Sequence, residues 1–265
     1  MERVAEWINV LGEFCGRRDV PELTSRALLE RFGFDRADVM VLFGGSIVCG
    51  GDVLAQAMRA GVARKYIIVG GAGHTTETLR RRVHEEYPQI ETEGLPEAEV
   101  FSRYLSCVHG LKADALETES TNCGNNITNL LAMMREKEIP CGSIILCQDA
   151  TMQRRMEAGL RKHAPEMTVV NYAAYRAVVE VHGGRLDFAE PIHGMWDMDR
   201  YVNLLMGEIP RLTDDANGYG PCGRGFIAHV DVPGAVKEAF ENLKTVFGVD
   251  TREANPAYAS KEERK

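Results

Sequence analysis

Four short stretches of this chain carry glycines and polar side chains of the kind that hold a ligand. They are Gly44, Gly45 and Ser46; Gly70, Gly71, Gly73, His74 and Thr75; Glu117, Ser120, Asn122, Cys123 and Asn126; and Gln148, Asp149 and Thr151. Glycine admits close backbone approach and positive φ. N–H groups exposed where a helix begins favour an anion or a carboxylate. Strand-to-helix turns also favour glycine for their own geometry, so one cluster alone is ambiguous. Two clusters on one edge of a sheet point to a site. Neither has the G-x-G-x-x-G spacing, and no acidic residue ends the second strand, which argues against a dinucleotide such as NAD.

Glu117 could accept hydrogen bonds from ribose hydroxyls or an amine, or it could hold the N–H groups of its own loop. Ser120, Asn122 and Asn126 suit caps and loop staples. One cap would serve the helix, however, and "ETESTNCGNN" offers several. Cys123 near a helix start could carry a stabilised thiolate; a nucleophile needs a base, and His74 is the candidate in these loops. Asp149 reads as a helix N-cap or as a ligand contact. Arg154, about a turn further on, could reach a carboxylate or phosphate. No residue stands out as catalytic. In "TDDANGYGPCGRG", Asp214, Asp215 and Tyr219 could close over a cleft. The Asp-x-Asn spacing hints at calcium, but the acid that completes such a loop is missing, so no metal site is expected.

The elements that must position these residues alternate. "ADVMVLFGG", "KYIIVGGAG" and "GSIILC" are continuous apolar runs, as buried parallel strands should be. "ADALE" and "MTVVNY" complete a set at about 38–43, 66–70, 114–117, 143–147 and 168–172. Helical spacing separates them, as in "ITNLLAMM" with Ile127, Leu130, Leu131 and Met134 inward. Val100, Tyr104 and Cys107 or Val108 should face inward from the helix before the third strand. The pattern predicts an α/β, Rossmann-like, doubly wound sheet of five parallel strands in order 3-2-1-4-5. All four polar stretches then fall at strand C-termini, where such sheets bind ligands.

Two amphipathic helices precede the sheet, the second opening at Pro21 in a first-turn position. After Tyr172 come a candidate hairpin, "AVVEVHGGRLDF", a helix at "MDRYVNLLMGEIPRL", and another with Val236, Phe240, Leu243 and Phe247 inward. Residues 36–175 are read as the ligand-binding domain, and 1–35 with 176–265 as a smaller, mainly helical cap ending in a polar, frayed tail.

The chain has 265 residues, 45% of them hydrophobic, and a net charge of −8. This acidic balance disfavours nucleic acid and shows no membrane-binding basic cluster. No run has signal-peptide or transmembrane character. Seven cysteines without C-x-x-C spacing indicate neither a disulfide framework nor zinc. A cytoplasmic protein with a small-molecule partner is expected.

"GGAGHTT", "ESTNCGNN", "QDATMQRR" and "GEIPRLTDDANGYGPCGRGFIAHVDVP" resemble the YdcF/SanA/ElyC family, from the first strand to near the C-terminus. The chain is similar to its soluble branch, having no N-terminal membrane segment. The resemblance implies a Rossmann-like domain with a smaller one, and S-adenosylmethionine bound in the cleft. It carries over Gly44, Asp52, Gly70, Gly71, Gly73, His74, Glu117, Ser120, Asn122, Asn126, Gln148, Asp149 and Arg154. Gly45 stands where a polar residue is expected, Asn125 where Glu is usual, and Thr151 where the wider group often has His. Those departures count against acid–base roles at these places. The expected function is S-adenosylmethionine binding, with methyl transfer to an unknown acceptor. The alternatives are chemistry on a phosphorylated small molecule, and non-catalytic sensing of a metabolite.

Overall fold

A computed structural model describes residues 1–45, 47–73 and 75–248. Ser46, His74 and the polar tail lie outside the described residues, and so do the expectations made for them. The elements run α1 (Glu2–Cys15), α2 (Ser25–Phe32), β1 (Ala37–Phe43), α3 (Cys49–Ala60), β2 (Ala63–Val69), α4 (Thr76–Glu86), α5 (Glu97–His109) and β3 (Ala115–Glu117). They continue as α6 (Cys123–Glu136), β4 (Ser143–Cys147), α7 (Gln153–His163), β5 (Thr168–Asn171), β6 (Val179–His182), β7 (Arg185–Phe188), α8 (Met198–Leu212) and α9 (Gly234–Phe247).

The first five strands form one parallel sheet in the order β3-β2-β1-β4-β5. Strand residues alternate between two cores, as a period of two requires. Met40, Leu42, Ile68, Ile145 and Val170 face α1, α3, α5 and α8. Val39, Val41, Phe43, Ile67, Val69, Ile144 and Leu146 face α6 and α7. Burial on both faces is why these strands read as unbroken apolar runs. The central strand β1 pairs with both β2 and β4, so the winding direction reverses there.

The C-terminal region packs around α1, which touches α8, α9 and β6. The hairpin forms as expected, with Gly183 (φ 58°) and Gly184 (φ 80°) at a two-residue turn that needs positive φ twice. Three local expectations are corrected. Helix α2 begins at Ser25 rather than near Pro21, because the Thr24 hydroxyl accepts the Ala27 N–H as its cap. Cys107 and Val108 are exposed, while Phe101 and Leu105 join Val100 and Tyr104 inside, because α5 is rotated to cover both α3 and β2. Phe247, at the last turn of α9, is also exposed. Among the described residues, no helix is long and apolar enough to cross a membrane.

Candidate functional site

The C-terminal ends of β1, β2 and β3 meet at the loop following β2. Gly70 N–H donates to the Glu117 carbonyl, and Gly44 N–H to the Val69 carbonyl. The first N–H groups of α5, on Glu97 and Ala98, donate to the carbonyls of Gly71 and Gly70. The loop is therefore held from both sides. A Cβ at Gly71 would overlap the Ser120 carbonyl oxygen and lie 2.7 Å from that of Thr118. A Cβ at Gly70 would lie 3.0 Å from Glu97 Cβ, and one at Gly44 would lie 2.9 Å from it and overlap Glu97 Oε2. These three glycines are required by the chain's own close packing. The Gly71 and Gly73 N–H groups donate to the hydroxyls of Ser120 (3.1 Å) and Thr76 (2.7 Å). They are not pointed at an open anion site, which weighs against the phosphorylated-ligand alternative.

Glu97 is the residue that sequence reading missed. It occupies the first position of α5, where an acidic residue looks like an ordinary helix-dipole partner. The fold instead buries it between the ends of β1 and β2, with Oε1 accepting the hydroxyls of Thr75 (3.2 Å) and Thr76 (2.9 Å). Burial pushes its pKa up, against the opposing effect of the two hydroxyls.

Glu117 ends β3 and is 6% exposed. Its Oε1 accepts from Glu119 N–H (2.7 Å), Ser120 N–H (3.0 Å) and Asn129 Nδ2 (3.1 Å). Its Oε2 is buried with no hydrogen-bond partner. The loop-holding reading of this residue is therefore met through Oε1, and Oε2 is left over. Asn129 was also missed; it is half-buried on α6, three residues past Asn126, and reaches back to Glu117.

Asn122 caps α6 by accepting the Asn125 N–H (3.0 Å), and Asn125 Oδ1 reaches back to the N–H groups of Thr121 and Asn122 (both 2.9 Å). This is a capping box. Asn125 thus fills the reciprocal role that Glu or Gln takes at the third position of a capping box. Cys123 and Asn126 are half-buried in the first turn.

Beyond β4, Gln148 Nε2 donates to the Gly44 carbonyl (3.2 Å) and ties the ends of the two central strands together. Gly45 lies beside it; a Cβ there would sit 3.5 Å from Gln148 Oε1. Asp149 is buried and fully engaged. Oδ1 accepts the Thr151 N–H and hydroxyl and the Tyr175 hydroxyl (each 2.8 Å), and Oδ2 accepts Trp196 Nε1 (2.9 Å). It precedes α7, whose N-cap is Met152, so the Asp149 cap reading is corrected: it closes a tight turn before the helix. Arg154 points to α1. Its Nε donates to the Phe14 carbonyl and its guanidinium lies 4.3 Å from the Phe14 ring centre. The structure thus brings together Gly44, Gly45, Gly70, Gly71, Gly73, Thr75, Glu117, Ser120, Gln148 and Asp149 at one sheet edge and sends Arg154 elsewhere.

The loop with Asp214, Asp215 and Tyr219 folds on itself and against α7. Asp214 accepts the Cys222 N–H (2.7 Å), Asp215 those of Asn217 and Gly218 (2.8 and 2.9 Å), and Ala228 N–H donates to the Ala158 carbonyl (2.9 Å). The segment that reaches the switch point is instead 190–197, through Trp196. Asp149, its partner there, lines a narrow crevice with Gly45, Ile47, Phe101, Gln148 and Ala174 that has no room for a water molecule.

No known family model matches the chain. Among solved structures it is similar to E. coli tRNA N6-threonylcarbamoyladenosine dehydratase, with 14% identity and a TM-score of 0.31, over 51% of this chain and 50% of that one. The chain thus matches half of that protein's length.

Proposed function

We propose that the chain binds a small organic molecule in the crevice beyond β1, β2 and β3, and that S-adenosylmethionine is the first ligand to test. The observation that carries this reading is the Oε2 atom of Glu117, a buried acceptor that no group of the protein satisfies. Leaving such an atom unpaired costs on the order of 1–3 kcal/mol, a cost that a ligand donor would remove. S-adenosylmethionine has suitable donors in its ribose hydroxyls and its ammonium group. Glu117 would hold one of these, with Gly70, Gly71 and Gly73 forming the adjacent wall. The quoted motifs add support, and membership of the soluble branch of the YdcF/SanA/ElyC family belongs to the same proposal. So does a cytoplasmic setting, which the free state of all seven cysteines suits. When bound, the cofactor would supply an activated methyl group. The residues around the crevice would orient it and exclude water.

Isothermal titration of the chain with S-adenosylmethionine tests the proposal, with Glu117→Gln as the comparison. The Gln carbonyl keeps the acceptor for the 119 and 120 N–H groups and puts an NH2 in place of Oε2. Wild-type binding weakened roughly tenfold in the variant is the expected result. Absence of heat and of a thermal shift at millimolar ligand would end the S-adenosylmethionine reading. Mass spectrometry of the recovered ligand then separates a methyl donor from a metabolite that is only sensed.

A further inference from the structure

The segment 190–197, between β7 and α8, crosses the C-terminal edge of the sheet without secondary structure of its own. Much of its hold on the molecule comes from side-chain ties. His193 Nδ1 is 2.8 Å from Asp52 Oδ2, on α3, and His193 Nε2 is 2.8 Å from Glu86 Oε2, at the end of α4. One turn back on α4, Arg82 donates to the carbonyls of Gly194 and Met195. Trp196 donates to Asp149 at the switch point. The segment also lies close against the start of α3: Cys49 N–H donates to the His193 carbonyl (3.3 Å), and a Cβ at Gly194 would lie 2.9 Å from the Val48 side chain. Asp149, the partner of Trp196, lines the crevice at the ends of β1 and β4, which as it stands has no room for a water molecule.

We infer that residues 190–197 form a strap that gates the switch-point cleft, and that the charge on His193 latches it shut. The chemistry of the latch is fixed by its partners. Both ring nitrogens face carboxylate oxygens, and carboxylates only accept. An imidazolium donates to both; a neutral imidazole has one N–H and would turn a lone pair toward the other carboxylate. Facing His193 are Asp52 from α3, Glu86 from the end of α4, and Tyr104 from α5, whose hydroxyl donates to Asp52 Oδ1 (2.6 Å); Tyr87, after α4, packs on Tyr104. His109, also on α5, meets the same Oδ1 at 2.9 Å. Arg82 and Arg200 are cations against the strap, both over the Trp196 ring, and Glu190 and Asp197 lie on the segment itself. Burial draws the His193 pKa down, but the bonds and charges of Asp52 and Glu86 outweigh it and set it above the ordinary 6.5. A folded-state pKa raised in this way makes the tie complete below about pH 6.5 and loses it as pH rises through the raised value.

The strap's own tryptophan reports on it. Trp7 and Trp196 are the two tryptophans of the chain, so Trp7→Phe leaves Trp196 as the sole emitter. In that background, emission and acrylamide quenching are followed from about pH 6 to about pH 9, with far-UV circular dichroism to monitor the fold. The expected result is a red shift and greater quenching as pH rises, with helix content unchanged. Adding Glu86→Gln, at a half-exposed position, should move the midpoint to lower pH, and adding His193→Gln should abolish the step. Emission that is flat across the range, or a midpoint unmoved by Glu86→Gln, overturns the inference, even if His193→Gln does not fold. No ligand enters the measurement, so its outcome is separate from that of the titration with S-adenosylmethionine.

Discussion

Glu97 is the clearest case of a side chain whose meaning the fold reverses. In "PEAEV" it reads as an exposed acid in a first helical turn, yet it is 7% exposed, and two glycines exist to make room for it. Its raised pKa has a direct stability consequence. A carboxyl that holds its proton more tightly when folded favours the native state at low pH, and that benefit disappears as pH rises through the folded pKa. Glu97→Gln keeps an acceptor for the Thr75 and Thr76 hydroxyls and removes the buried charge. The variant should therefore melt higher than the wild type at pH 8, with the gap closing as pH falls toward the ordinary carboxylate range. A melting series in pH, read as the difference between the two proteins, checks this, and a gap that widens in acid would refute it. Glu117 was legible from sequence because it ends a strand among polar residues. Glu97, His193 and Trp196 were not, because their roles depend on which elements the topology lays over them.

At the scale of elements, the sheet was legible because a doubly covered strand must be apolar throughout. Its order followed from the handedness of strand–helix–strand connections. The third strand was the weak point: "ALE" is three residues long, and what defines it is pairing to β2, which no periodicity reveals. Helix starts were misread at α2 and α7 for one reason. Thr24 and Asp149 bind nearby N–H groups and so move the boundary away from the residue that looked like the opener. The loop after β2 allows a sharp test of how these elements join. Gly71 is wedged between the first turn of α5 and the loop at 118–120, so Gly71→Ala must push them apart. A loss of about 1–3 kcal/mol or more is expected. Gly234→Ala, at the open first turn of α9 with nothing within 4 Å, should be neutral or slightly stabilising. Urea midpoints of both variants make the comparison. A neutral Gly71→Ala would mean that the wedge is not tight.

Across the whole molecule, apolar packing joins the C-terminal helices to the sheet layer, and a buried ion pair adds to it. Arg155 of α7 donates to both oxygens of Glu208 of α8, Nη2 to Oε1 at 3.0 Å, and the side chains are 13% and 4% exposed. Arg211 lies 3.4 Å from the same carboxylate. Burial alone would depress the Arg155 pKa, but Cys123 and Glu208 outweigh it and keep the guanidinium firmly charged. Glu208→Gln therefore strands a buried cation, and about 3–5 kcal/mol of destabilisation is expected. Replacing both members, as in Arg155→Met with Glu208→Leu, should recover much of that loss, because Arg155 is then not stranded and Arg211 keeps its bonds to the Gly207 carbonyl and the Tyr219 hydroxyl. One core runs continuously from α1 and α8 through Met40 and Leu42 to α3 and α5. The destabilised variant should accordingly unfold in a single urea transition with an unchanged slope, shifted to lower concentration. A biphasic curve in Glu208→Gln would show instead that α8 and α9 come away from the sheet as a unit, with the ion pair as the principal link between two separately stable parts.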